Sequence, residues 1–256
     1  MKRIILITAG VIVLTISTVI LWASFREMFH TNKGKSISTG YRSNGTLTNA
    51  WLMPYSGKNF KYFSFISYYL ADNAYVNDKV CRAVTEAYKI CETTSPGIEF
   101  RLMEGSNYEG GPMVWHRTHQ TGVSIDFMIP KSRNGKQFTL LDHWGYLHYL
   151  LSFDDEGKLK PQHNIPVISK LLNSMTDGSM LDFESSASHI LALDDACKKE
   201  GVSIRKVIIK LEYKEKLFKT PAGKKLLARG IPFATRISKI TNALHDDHYH
   251  IDFKVN

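Results

Sequence analysis

The chain has 256 residues, 43% hydrophobic and 11% aromatic, enough apolar content to bury a core and to exclude disorder throughout. Its formal net charge is +9 and is unevenly placed: between Lys198 and Arg229, 11 Lys/Arg are set against 3 Glu. Such a run reads first as solvated faces of helices and strands, and second as an attraction for an anionic polymer.

In chain order, MKRIILITAGVIVLTISTVILWASF sets Lys2 and Arg3 ahead of an uncharged stretch from Ile4 to Ala23. About 20 such residues at ~1.5 Å rise reach ~30 Å, the thickness of a hydrocarbon core. Residues 1–24 are therefore expected to form a transmembrane helix, a signal anchor with the charged end in the cytoplasm and the body exported. A cleaved signal peptide competes with this reading, but Leu21-Trp22-Ala23 poorly matches a small-residue cleavage site. Residues 25–40 include the polar TNKGKSISTG and read as a tether, leaving 41–256 as the folded domain.

Strand-like and helix-like segments are mixed from there on, which points to an α+β fold. TLTNAWLMPYSGKNFKYFSFI fits strands or the wall of a cleft. NDKVCRAVTEAYKIC reads as a helix from near Asp78, with Val80, Val84, Ala87, Tyr88 and Cys91 on one face. Helical rise would separate Cys81 from Cys91 by ~15 Å, too far for a disulfide. Any bridge then uses Cys197; buried free thiols are the alternative. DFESSASHILALDDACKKEG is the clearest helix, with Asp182 as cap, Phe183, Ala187, Ile190, Leu191 and Cys197 on one face, and Gly201 as its end. VSIRKVIIKL follows as a β-branched strand, and TPAGKKLLARG as a short helix closed by Gly230.

Five of the ten histidines fall in two short windows, HRTHQTGVSIDF at 116–127 and HDDHYHIDFKVN at the end. In the second, Tyr249, Ile251, Phe253 and Val255 alternate with His248, His250, Asp252 and Lys254, the period of a strand with one buried face. In the first, Val123, Ile125, Phe127 and Ile129 alternate with Ser124, Asp126 and Met128, and Gly122 can bend the chain back towards His119. Two such strands in one sheet would present Asp126 and His250 on an exposed polar groove, with His119 completing two nitrogens and a carboxylate. That is the ligand set of a catalytic Zn²⁺ site with an open fourth position; the same donors suit non-haem iron. His30, His143, His148, His163 and His189 stand singly and read as surface or hydrogen-bonded side chains.

The two windows resemble the penicillin-insensitive murein endopeptidases, within the wider group of lysostaphin-type, D-Ala-D-Ala and hedgehog-type zinc metallopeptidases. That group carries H-x6-D, here His119 to Asp126, followed much later by H-x-H, here His248-Tyr249-His250. The narrower pattern adds Gly110-Gly111, His116, THQTG at 118–122 and HDDHYH at 245–250; GTLTNAWLMP at 45–54 is similar to the family's opening segment. Where the family often has Asp before Gly-Gly, this chain offers Glu104 or Glu109, and where it often has Arg two past the last ligand, this chain has Asp252.

The resemblance implies an antiparallel sheet with flanking helices and one zinc ion held by His119, Asp126 and His250. It implies His248 as the catalytic base, with His116 and His245 lining the site. It further implies a periplasmic peptidase acting on peptide cross-links of peptidoglycan, and export argues against a nucleic-acid partner. A D-Ala-releasing carboxypeptidase on the same fold and a non-catalytic wall-binding module with a vestigial zinc site are the alternatives. Asp246 and Asp247 read equally as acceptors that orient the histidines or as turn residues.

Overall fold

The computed structural model describes residues 2–114, 116–160 and 166–255, so the expectation for His163 lies outside the described residues. The chain runs through α1 (Lys2–Ala23), α2 (Phe25–Phe29), β1 (Ile37–Tyr41), β2 (Asn44–Thr48), β3 (Trp51–Leu52), β4 (Phe60–Tyr62), α3 (Phe65–Tyr69) and β5 (Tyr75–Val76). It continues through α4 (Asp78–Thr94), β6 (Phe100–Leu102), β7 (Ser124–Met128), β8 (Lys131–Arg133), β9 (Lys136–Phe138), a 3-10 turn (Gly145–Leu150), α5 (Pro166–Thr176) and β10 (Met180–Leu181). It closes with α6 (Phe183–Glu200), β11 (Val202–Ile208), α7 (Tyr213–Lys219), α8 (Pro221–Ala228), α9 (Lys239–Leu244) and β12 (His248–Val255).

The central sheet has the order β11-β12-β7-β6-β4. It is antiparallel except at β4–β6, where Phe60 pairs with Phe100 in parallel. Smaller sheets surround it, and the whole is α+β. Helices α4 and α6 pack on each other and against the apolar face of the sheet. There Phe127, Tyr249, Ile251 and Phe253 are fully buried, with Val80, Val84, Ala87, Tyr88 and Cys91 facing them from α4. Asn77 caps α4 by accepting the amide of Lys79; Asp182 caps α6 by accepting that of Ser185, and Gly201 ends α6 at φ +65°. All three cysteines are free and buried.

The expected transmembrane helix is overturned. The opening residues do form a helix, but among the described residues no helix is long and apolar enough to cross a membrane. Helix α1 is exposed along residues 8–22. It also carries Thr15 and Thr18, which turn back on the carbonyls of Val11 and Leu14. The side chains of Lys2 and Arg3, which set the predicted orientation, lie outside the described ones.

The segment read as a tether lies along the body. Asn32 exchanges hydrogen bonds with the backbone of Leu52 at 2.8 and 3.0 Å, Trp51 Nε1 donates to Gly34 O, and the Ser36 amide donates to Asp78. The basic run is largely neutralised in place. Lys198 pairs with Asp194, Lys199 with Glu86, Lys206 with Asp252, Lys210 with Asp155, Lys219 with Glu215, and Arg229 with Asp195.

The polar faces of β7 and β12 are also not an open groove. Every residue of β7 is buried, as is β12 from His248 to Phe253. These are inner strands, with helices on one face and the segment around Glu104–Gly122 plus the 3-10 turn over the other. Alternation therefore separates apolar from polar, not buried from exposed.

Candidate metal centre

Antiparallel pairing of β12 with β7 sets His250 opposite Asp126. Directly paired residues point to the same face, so the two side chains meet, with His250 Nδ1 at 2.8 Å from Asp126 Oδ1. His119 arrives from the loop before β7. Gly122, at φ +68°, makes that return; a Cβ there would stand 2.6 Å from Leu47 Cδ2 and 2.9 Å from the Asn77 amide nitrogen. Gly110 serves the same loop at φ +71°, where a Cβ would lie 2.3 Å from Gln120 O. His119 Nε2 ends 3.1 Å from His250 Nδ1 and 3.4 Å from Asp126 Oδ2.

His116 bridges two carboxylates, its Nε2 at 2.6 Å from Glu104 Oε2 and its Nδ1 at 3.2 Å from Asp126 Oδ2. His116, His119 and Asp126 each offer a ligand atom within 4.8 Å of the others, so the group lies close enough to hold a metal ion. Of the two acids near Gly110-Gly111, Glu104 is the one at the site. It is buried and also held by Ser67, Asn73 and Tyr146.

A carbonyl only accepts, so the 2.6 Å contact of His119 Nδ1 with Gly105 O puts the proton on Nδ1 and leaves Nε2 a lone pair. His250 sits between two carboxylates, its Nε2 2.9 Å from Asp252 Oδ1 and its Nδ1 2.8 Å from Asp126 Oδ1. His119 Nε2, His250 Nδ1 and the Asp126 carboxylate thus converge.

The electrostatics of the cluster shifts the ionisation of its members. Burial opposes charge on His250, but Asp126 and Asp252 outweigh it and raise its pKa to about 9. Burial likewise opposes charge on His116, and Asp126 and Glu104 push it up to about 10. Burial lowers His119. Burial opposes charge on Asp126, but its contacts with His119, His116 and His250 hold it well below the usual carboxylate range.

The second histidine cluster flanks this group. His248 Nδ1–H donates to Asp247 Oδ1 at 2.6 Å, leaving Nε2 for chemistry. Burial opposes charge on His248, but Asp247 raises it. Asp246 takes the turn role, accepting the Phe153 amide at 3.1 Å and the Tyr213 hydroxyl on its carbonyl. His245 lies beside His248, ring centroids 4.7 Å apart, and its Nδ1–H donates to Thr241 O at 2.6 Å. Burial, with His248 adding to it, lowers His245 to about 3, so it is a neutral ring with Nε2 as acceptor.

Single histidines did not all stay out of the site. His148 is buried on the 3-10 turn, with Nε2 2.9 Å from Asp247 Oδ2, behind His248. A lone histidine about a hundred residues away carries no periodic signal, so nothing in the sequence marks it. Asp252 was legible as sharing the His250 face. His189 lies on the opposite, apolar side of the sheet, bonded to the Tyr249 hydroxyl and stacked on Tyr88. No family model matches the chain, and no curated protein matches it.

Proposed function

We propose that the protein is a zinc metallopeptidase that hydrolyses peptide cross-links of peptidoglycan. The observation that carries the chemistry is the convergence of His119 Nε2, Asp126 and His250 Nδ1, each histidine fixed through its other nitrogen, beside a histidine poised on a carboxylate. Two imidazoles and a carboxylate suit zinc, and carbonyl and carboxylate partners on the far nitrogens are what metal-bound histidines usually have. Bound zinc supplies Lewis-acid chemistry, lowering the pKa of a water from ~15.7 towards ~7 and polarising the carbonyl.

His248 Nε2 takes the proton from the attacking water and returns it to the leaving amine, while Asp247 holds Nδ1–H and favours the charged ring between the two transfers. His148 Nε2 stands 2.9 Å from the other oxygen of Asp247. His116, with both ring nitrogens committed, orients Asp126 against Glu104. His245 has no free N–H in this tautomer, so it flanks the site as an acceptor and does not donate to an oxyanion.

The substrate class is supported by the likeness of the paired motifs to murein endopeptidases, and it requires work on the periplasmic side of the cytoplasmic membrane. The test incubates the protein with cross-linked muropeptide dimers under zinc and under chelator, with products separated by mass. Monomers formed in zinc and absent under chelator are expected. Free D-alanine in their place would establish the carboxypeptidase, and bound zinc with no product the wall-binding module.

A further inference from the structure

The β1–β2 hairpin contributes little core. All of β1 is exposed, and within β2 Leu47 alone is buried. Its turn nevertheless reaches both halves of the metal centre. The Arg42 carbonyl accepts the amide of Gln120 at 3.0 Å, one residue past His119. The guanidinium Nε of the same residue stands 3.4 Å from Asp252 Oδ1, the oxygen 2.9 Å from His250 Nε2.

We propose that Arg42 is a positioning residue that ties the His119 loop to the His250 strand, by its carbonyl on one side and through Asp252 on the other, and so sets the metal-binding geometry. This rests on the reading of the cluster as a metal centre. The two ligands lie 131 residues apart in sequence, and their segments share no turn that would fix their spacing. Ser124 Oγ at 2.7 Å and Lys206 Nζ at 3.2 Å complete the partners of the buried Asp252 carboxylate. Of these groups, Arg42 is the one that also holds the His119 loop.

The hairpin is seated without the guanidinium. Leu47 N donates to Glu109 O at 2.9 Å and Gly111 N to Gly45 O at 3.1 Å. Gly45 packs so tightly that a Cβ would stand 2.4 Å from Thr121 Cγ2. Loss of the Arg42 side chain should therefore move the ligands without unfolding the hairpin.

The experiment measures zinc affinity of the full chain by competition with a chromophoric chelator, and the visible spectrum of the cobalt(II) form. Parent, Arg42→Ala and Arg42→Lys are compared. Arg42→Ala is expected to bind zinc ~10–100-fold more weakly and to shift the cobalt bands, because the partner behind His250 is loosened. Arg42→Lys, which keeps the charge without the planar fork, should recover part of both. Parent-like affinity and spectrum in Arg42→Ala would overturn the role of Arg42 while leaving the metal centre standing; a parent that binds neither metal overturns both. If Arg42→Ala fails to fold, Arg42→Gln and Asp252→Asn repeat the comparison with the same two outcomes.

Discussion

His250 and His116 both contact Asp126, yet their surroundings assign them different work. His250 stands between Asp126 and Asp252 with its Nδ1 also 3.1 Å from His119 Nε2, whereas His116 joins Asp126 to Glu104. The expected result is that His119→Ala and His250→Ala copurify with no stoichiometric zinc, while His116→Ala keeps zinc at reduced affinity; elemental analysis of the three proteins decides it. Metal lost equally from all three would move His116 into the ligand set. Along the proton path, His248→Gln should lower kcat by ~10²–10⁴ with little change in KM and full metal content. An unchanged kcat would remove His248 as the base.

Elements place these residues through register and caps. Strand β12 turns its histidines towards Asp126 because Tyr249, Ile251 and Phe253 must face α4 and α6; a slip of one residue would bury the imidazoles in the core. At the entry to β7, Gly122 has the backbone conformation that disfavours a side chain and a backbone amide where its Cβ would go. Gly122→Ala should therefore cost more than ~1 kcal/mol in urea unfolding of the metal-free protein and weaken zinc binding as well. Asp182→Ala, at the cap of α6 and outside the histidine cluster, should cost about 1 kcal/mol and leave zinc affinity alone. A loss of zinc affinity there would show the two regions to be coupled.

At the scale of the molecule, stability should depend on pH through buried histidines of opposite kinds. His189, its pKa lowered to about 3 by burial, stays neutral in the fold while the unfolded chain takes up a proton below its ordinary value of ~6.5. The unfolded state then binds more protons between those values, so stability falls as pH drops through that window, by up to ~1.4 kcal/mol per unit. His250 and His116, raised to about 9 and about 10 in the metal-free protein, act oppositely. Their contribution is complete below ~6.5 and is lost as pH rises through those values. The stability difference between parent and His189→Gln, read from urea midpoints, should shrink steadily from pH 7 to pH 4. A constant difference would show that the ring is not neutral in the fold.

The sequence by itself determined the local elements and put forward the candidate donors. Periodicity placed α4, α6, β7, β11 and β12, and Asp182 with Gly201 set both ends of α6, because caps and alternation are short-range effects written in adjacent residues. It also brought His119, Asp126 and His250 forward as one set, since paired motifs repeat a spacing. The apolar opening run misled, because a helix can form there without a described span long and apolar enough for a membrane. Whether a polar strand face is open or covered, which of Glu104 and Glu109 meets His116, and the places of His148 and Arg42 were decided by tertiary structure alone. These contacts join single residues across long stretches of chain, and only packing around the sheet fixes the distances between them.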